Sequence, residues 1–113
     1  MKLRSQPFDM IRAGKKTFEL RLYDEKRQLL RVNDEIEFSC ADEERQLLVV
    51  AVTGLHRFKS FDELYATLPL LQCGYTEEDV KKASPEDMNS YYSKEEQAEY
   101  GVVAIEIRLI PTV

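Results

Sequence analysis

Residues 14–23 read Gly14-Lys15-Lys16-Thr17-Phe18-Glu19-Leu20-Arg21-Leu22-Tyr23, and their period decides the class of fold. From Thr17 onward polar and apolar side chains alternate, the pattern of a half-buried strand. Phe18, Leu20 and Leu22 share one face; Thr17, Glu19, Arg21 and Tyr23 share the other. Upstream, Pro7-Phe8-Asp9-Met10-Ile11 spells a short helix. Proline suits a first helical position, and Gly14 suits the left-handed residue just past the end.

The period of two recurs downstream. Residues 24–31 (DEKRQLLR) form a turn or a single helical loop, and Asn33-Asp34 supplies turn chemistry. Ile36, Phe38 and Cys40 then alternate with Glu35, Glu37 and Ser39. Asp42-Glu43-Glu44 reads as a hairpin tip. Arg45 to about Thr53 is a long strand whose LLVVAV run suggests burial on both faces, and Gly54 marks a bulge or bend.

The middle of the chain is helical. Ser60-Phe61-Asp62-Glu63 is a capping box with Phe61, Leu64 and Tyr65 as its apolar stripe, and Pro69 closes that helix. Thr76-Glu77-Glu78-Asp79 and Ser84-Pro85-Glu86-Asp87 open further short helices, with carboxylates near the positive end of the dipole. Ser93-Lys94-Glu95-Glu96 repeats the capping box, Gly101 ends its helix, and Val103, Ile105, Ile107 and Leu109 alternate in a last strand stopped by Pro111. The order is helix, three strands, several short helices, strand, with no βαβ alternation. The fold class is therefore α+β: a small, mostly antiparallel sheet, closed or nearly closed into a barrel. Its short helices fall near the N-terminus and between the third and last long strands.

At 113 residues the chain suits one domain, 1–113, which on folding buries roughly two-thirds of its surface. Apolar residues at 43% and charged residues at 33% describe a globular rather than a disordered chain. The longest apolar run, Leu47–Val52, is far below the ~20 residues of a membrane helix. The start, MKLRSQPFDM, holds no apolar stretch for a signal peptide. Cys40 and Cys73 are too few for a disulfide framework and form no C-x-x-C. A cytoplasmic protein with two free thiols and no membrane association is the expectation.

The net charge of −5 argues against a protein that coats nucleic acid non-specifically. It hides a split: residues 1–31 carry nine basic and four acidic side chains, net +5, and the rest of the chain is net −10. Such asymmetry hints at an anionic partner for one end, or at pairing of the basic segment with the acidic remainder in the fold.

Little else advertises chemistry. His56, the one histidine, has no His or Cys partner at ligand spacing, so no metal site and no cofactor are implied. There is no P-loop, dinucleotide fingerprint or G-x-S-x-G. The exception is the polar face of residues 14–21. Glu19 and Arg21 project from one face about 6–7 Å apart, with Lys16 at the strand entry. Read bare, this is either a solvated surface ion pair worth ~0–1 kcal/mol or a convergent binding site.

Gly14, Lys16, Glu19 and Arg21 fit G-x-K-x-x-E-x-R, which resembles the signature of ASCH domains, relatives of the PUA-like RNA-binding folds. The leading helix resembles that family's too. So do Asn33-Asp34-Glu35-Ile36-Glu37-Phe38 (with Asn33 where glycine is usual), Ser60–Leu64 and the tail Tyr91–Ile107. The resemblance implies a PUA-like β-barrel with a cleft lined by the polar face of the octet, binding RNA or a nucleotide-like ligand. Arg21 would offer a planar fork to phosphate or a base edge, Lys16 a point charge, and Glu19 an acceptor. Thr17 lies on the same strand face. Tyr23, Tyr92 and Tyr100 are candidates for stacking on a base.

Some small bacterial members of the superfamily deacylate N4-acetylcytidine with a Lys-assisted Thr nucleophile and a later Glu. Carried over, the Lys falls on Lys16, but the Thr falls on Glu19, and Thr17 is two positions too early. An amidohydrolase acting on an N4-acylated cytidine-type nucleoside would here need Glu19 to activate water and Lys16 to stabilise an oxyanion. A third reading is a protein-interaction domain whose acidic remainder docks a basic partner. Oligomeric state is left open.

Overall fold

The computed structural model describes residues 1–43 and 45–111. Among the described residues five strands form one sheet: β1 (Lys2–Leu3), β2 (Phe18–Leu22), β3 (Glu35–Cys40), β4 (Leu47–Phe58) and β5 (Val102–Leu109). Their spatial order is β1-β3-β4-β5-β2. Only β1 with β3 is parallel; the β3–β4, β4–β5 and β5–β2 pairs are antiparallel. Three α-helices, α1 (Ser5–Arg12), α2 (Phe61–Thr67) and α3 (Lys94–Tyr100), and several 3-10 turns join them. The architecture is α+β, as expected, but the sheet is a curled, mixed half-barrel with short helices, compatible with a small barrel-like fold rather than a closed barrel. Of the expected hairpin tip at 42–44, Glu44 lies outside the described residues.

The curl divides the apolar side chains into two clusters. Inside it, Phe8 and Ile11 of α1 pack on Ile36, Phe38, Val50, Val52, Val103, Ile105 and Ile107. On the other face, Phe18, Leu20 and Leu22 of β2 pack with Phe61 and Leu64 of α2, Cys73, Val102 and Ala104. β5 thus supplies alternate residues to both clusters and is buried on two faces. Residues 47–52 differ from expectation. Val50 and Val52 are fully buried, whereas Leu47 is half exposed and Leu48, Val49 and Ala51 are intermediate. The apolar run there covers one face well and the other only in part.

Local chemistry explains the boundaries. The β4–β5 register shifts between Val52 and Gly54, a bulge at the predicted glycine that lets one strand of twelve residues serve both β3 and β5. The Ser60 and Ser93 hydroxyls accept from Glu63 N and Glu96 N, capping α2 and α3. α1 starts two residues earlier than its proline, at Ser5, because a first-turn residue has no intrahelical use for its N–H. Gly14, at φ +76°, ends it, and the amides of Lys15 and Lys16 both return to Met10 O. That reversal delivers Lys16 to the mouth of β2.

Candidate functional site

β2 is buried on both faces, not half-buried. Antiparallel pairing sets Glu19 opposite Ile105 and Arg21 opposite Val103, so both point to the inner side of the curl. The polar face is therefore not a solvated surface. Lys16 and Glu19 expose only 8% and 5% of their side chains, Arg21 20%. Lys16 Nζ donates to Glu19 Oε1 at 2.7 Å, and Arg21 Nη2 to Glu19 Oε2 at 3.0 Å. One carboxylate bridges two cations, leaving the trio with one excess positive charge.

Burial pushes the Glu19 carboxyl up, but Lys16 first and Arg21 second, by charge and hydrogen bond, bring it below the usual glutamate value of 4.5. Burial likewise opposes the charge on Arg21, and Glu19 outweighs it, so the guanidinium holds its proton more firmly than usual. A depressed folded-state pKa makes a stabilising contribution that is whole above 4.5 and is lost as the pH falls through the folded value. Urea midpoints measured from pH 7 down to pH 3 should therefore drop more steeply in the wild type than in Glu19→Gln. Parallel curves would contradict the pairing.

The trio lies in the wall of a cavity of about 980 Å³. The N-terminal segment contributes Lys2 and Arg4 to its lining; Gly74, Tyr65, Tyr75, Asp87, Tyr91 and Tyr92 line it from the connection between β4 and β5 and from α2. Gly74, at φ +110°, caps the 3-10 turn Leu70–Cys73 and lies against Lys16; a Cβ there would sit 3.4 Å from Lys16 Cδ. The Tyr65 and Tyr75 hydroxyls are 2.6 Å apart, and Tyr75 donates to Asp87 Oδ2 at 2.8 Å. Burial raises the pKa of both phenols and of Tyr92, so all three stay protonated at neutral pH. Burial also pushes the Cys73 thiol up to about 11, only partly offset by Lys16, which leaves it a poor nucleophile.

Of the residues singled out in the sequence, Lys16, Glu19, Arg21 and Tyr92 meet at this cavity. Thr17 Oγ1 donates to Gln72 Oε1 at 3.0 Å, outside it. Tyr23 carries the Arg57 guanidinium over its ring at 4.2 Å. Tyr100 lines a separate hollow with Leu22, Asp24 and Glu96. His56 pairs with Glu106 at 2.8 Å and sits edge-on to Phe18. Lys2, Arg4, Tyr65, Tyr75, Asp87 and Tyr91 were not legible as neighbours of the octet. The charge split was the available signal, for Lys2, Arg4, Lys16 and Arg21 all come from the basic first 31 residues. Among the described residues no group of three or more His, Cys, Asp or Glu side chains is placed to hold a metal ion, and no helix is long and apolar enough to cross a membrane.

A curled mixed half-barrel of this kind, with short helices against the sheet and a polar trio at the entry and on the inner face of the edge strand β2, falls in the PUA-like class. Within that class the chain belongs to the ASCH family: the ASCH domain model matches residues 1–111. The chain is similar to two solved structures. One is the crystal structure of hypothetical protein PH0355, at 34% identity and a TM-score of 0.75, covering 97% of this chain and 96% of that one. The other is the solution structure of protein PF0455 from Pyrococcus furiosus, at 27% identity and a TM-score of 0.70, covering 99% and 100%. No curated protein matches the chain.

Proposed function

We propose that this ASCH domain binds RNA or a nucleotide-like ligand in the cavity around Lys16, Glu19 and Arg21. The observation that carries the reading is the buried ionic trio in a cavity wall. Two cations and one anion taken out of water are no efficient way to stabilise a core; apolar side chains of like volume do as well or better. Ionisable groups held this way in a concavity are candidates for recognition. The trio's surplus positive charge attracts an anion more strongly in a partly desolvated site than it would in water. Arg21 commits one nitrogen to Glu19 and retains a forked, partly exposed guanidinium for phosphate or a base edge. The neutral tyrosines opposite offer rings and hydroxyls. Membership of a family that is generally RNA-binding-like supports the same reading.

Binding is favoured over hydrolysis. A general base works best with a pKa near the working pH, whereas Glu19 is held below the usual carboxylate value with both oxygens engaged. Thr17, the nearest hydroxyl in sequence, donates to Gln72.

The test is thermal stabilisation by a panel of single-stranded oligoribonucleotides, nucleosides and nucleotides at fixed low salt. The wild type should be stabilised by at least one of them, with a response that weakens as salt rises. Arg21→Ala should remove the response and keep the fold. No stabilisation across the panel would overturn the proposal. Turnover of an N4-acylcytidine that vanishes in Lys16→Ala would favour the amidohydrolase reading instead.

A further inference from the structure

At about 980 Å³ the cavity lies at the upper end of the roughly 300–1,000 Å³ typical of pockets that hold one drug-sized ligand. Its aromatic and cationic groups come in two tiers. The inner tier joins Arg21 to Tyr92: the phenol lies within electrostatic reach of the guanidinium, and its ring stacks on Phe61 at 6.2 Å and 14°. The outer tier joins Arg4 to Tyr91, with the Arg4 guanidinium carbon 5.9 Å from the ring centroid. The two tyrosine rings are 6.5 Å apart and tilted by 52°. All four residues line the one cavity.

Tyr91 is the unusual member. It is 60% exposed, a large ring in water that the core does not explain. An exposed ring beside an arginine in a hollow that carries several cations is what single-stranded nucleic acid uses as a stacking step, since every base has a π-face and every linkage a phosphate. The carboxylates Asp79, Glu86 and Asp87 also line the cavity. With Lys82 the one cation lining the cavity from that segment, these three carboxylates would repel phosphates and favour a backbone on the side of Arg4 and Arg21.

Building on the proposed function, we infer that Arg4 and Tyr91 form a second-nucleotide subsite. The partner is then a single-stranded RNA segment whose successive nucleotides occupy the Arg21–Tyr92 and Arg4–Tyr91 tiers, rather than a free mononucleotide.

The experiment is calorimetric titration at fixed salt of the four ribonucleoside 5′-monophosphates and the four 5′-phosphorylated homodinucleotides. At least one dinucleotide should bind roughly 10- to 100-fold tighter than its mononucleotide, the gain expected of one added stacking step. Tyr91→Ala should erase that gain while leaving mononucleotide affinity within about twofold, and Tyr91→Phe should keep it. Arg4→Gln should reduce the gain and make the dinucleotide less sensitive to salt. Mononucleotide binding with no gain from the second nucleotide would overturn the subsite and leave the proposed function standing. So would a Tyr91→Ala loss that is equal for both ligand lengths. Failure of all eight probes together with longer oligoribonucleotides would overturn both.

Discussion

Glu19→Ala is expected to lose about 3–5 kcal/mol of folding stability, the range measured when one member of a buried ion pair is deleted. The residue is nearly inaccessible, and both of its oxygens accept from cations, Lys16 and Arg21. Deleting the carboxylate leaves Lys16 and Arg21 facing each other as uncompensated charges. Against a typical total of about 5–15 kcal/mol this is a large share. It corresponds to a fall in Tm on the order of 15 °C or more for a domain of this size. Urea unfolding and thermal melts provide the check. A variant within 1 kcal/mol or so of wild type would mean that water reaches the trio freely. A triple replacement, Lys16→Met with Glu19→Leu and Arg21→Met, should recover most of the lost stability, because it removes the charges together. It should also bind no RNA, separating the trio's structural cost from its use.

The second large effect lies behind the tyrosines. Phe61 is almost fully buried at the start of α2, stacked on Tyr92 and set edge-on to Tyr65 at 6.5 Å and 82°. Phe61→Ala should cost about 3–5 kcal/mol through lost transfer energy and the void left behind. The damage should extend to the site, because Tyr92 loses the ring it lies on and Tyr65, which holds Tyr75, loses its backing. Near-ultraviolet circular dichroism should show a weakened tyrosine signal, and RNA affinity should fall even at temperatures where the variant is fully folded. Phe61→Leu should recover part of the stability and little of the affinity. Unchanged affinity in folded Phe61→Ala would detach the tyrosine wall from ligand binding.

Both effects turn on what covers β2, and this was the part the sequence left least legible. Alternation in Thr17–Tyr23 states which side chains share a face, and here that grouping is correct: Phe18, Leu20 and Leu22 pack together against α2. It does not state what lies over the opposite face. A Lys-Glu-Arg face beside an apolar one reads as surface because charged residues are rarely buried without partners. In this fold the partners are one another, and the cover comes from Gly74 and Tyr92, more than fifty residues away. Features set by local chemistry were plain beforehand: the serine caps of α2 and α3, the bulge before Gly54, and the end of α1 at Gly14. Long-range contacts were not, as with β1, whose two residues pair with β3 although nothing in Lys2-Leu3 marks a strand. Tyr91 and Tyr92 show the same limit at the site. Adjacent in sequence, one leans on Phe61 and the other reaches solvent beside Arg4, a difference only the packed chain creates.

The proposed function places the ligand, RNA or a nucleotide-like molecule, in the cavity holding Lys16, Glu19 and Arg21. The decisive measurement is an NMR titration of isotopically labelled protein with a short single-stranded oligoribonucleotide, following the backbone amides. Saturable shifts are expected at Lys16, Glu19, Arg21, Gly74, Tyr91 and Tyr92, and are expected to be absent in Arg21→Ala. Shifts confined to the hollow around Asp24, Glu96 and Tyr100, or no shift at any concentration, would contradict that placement.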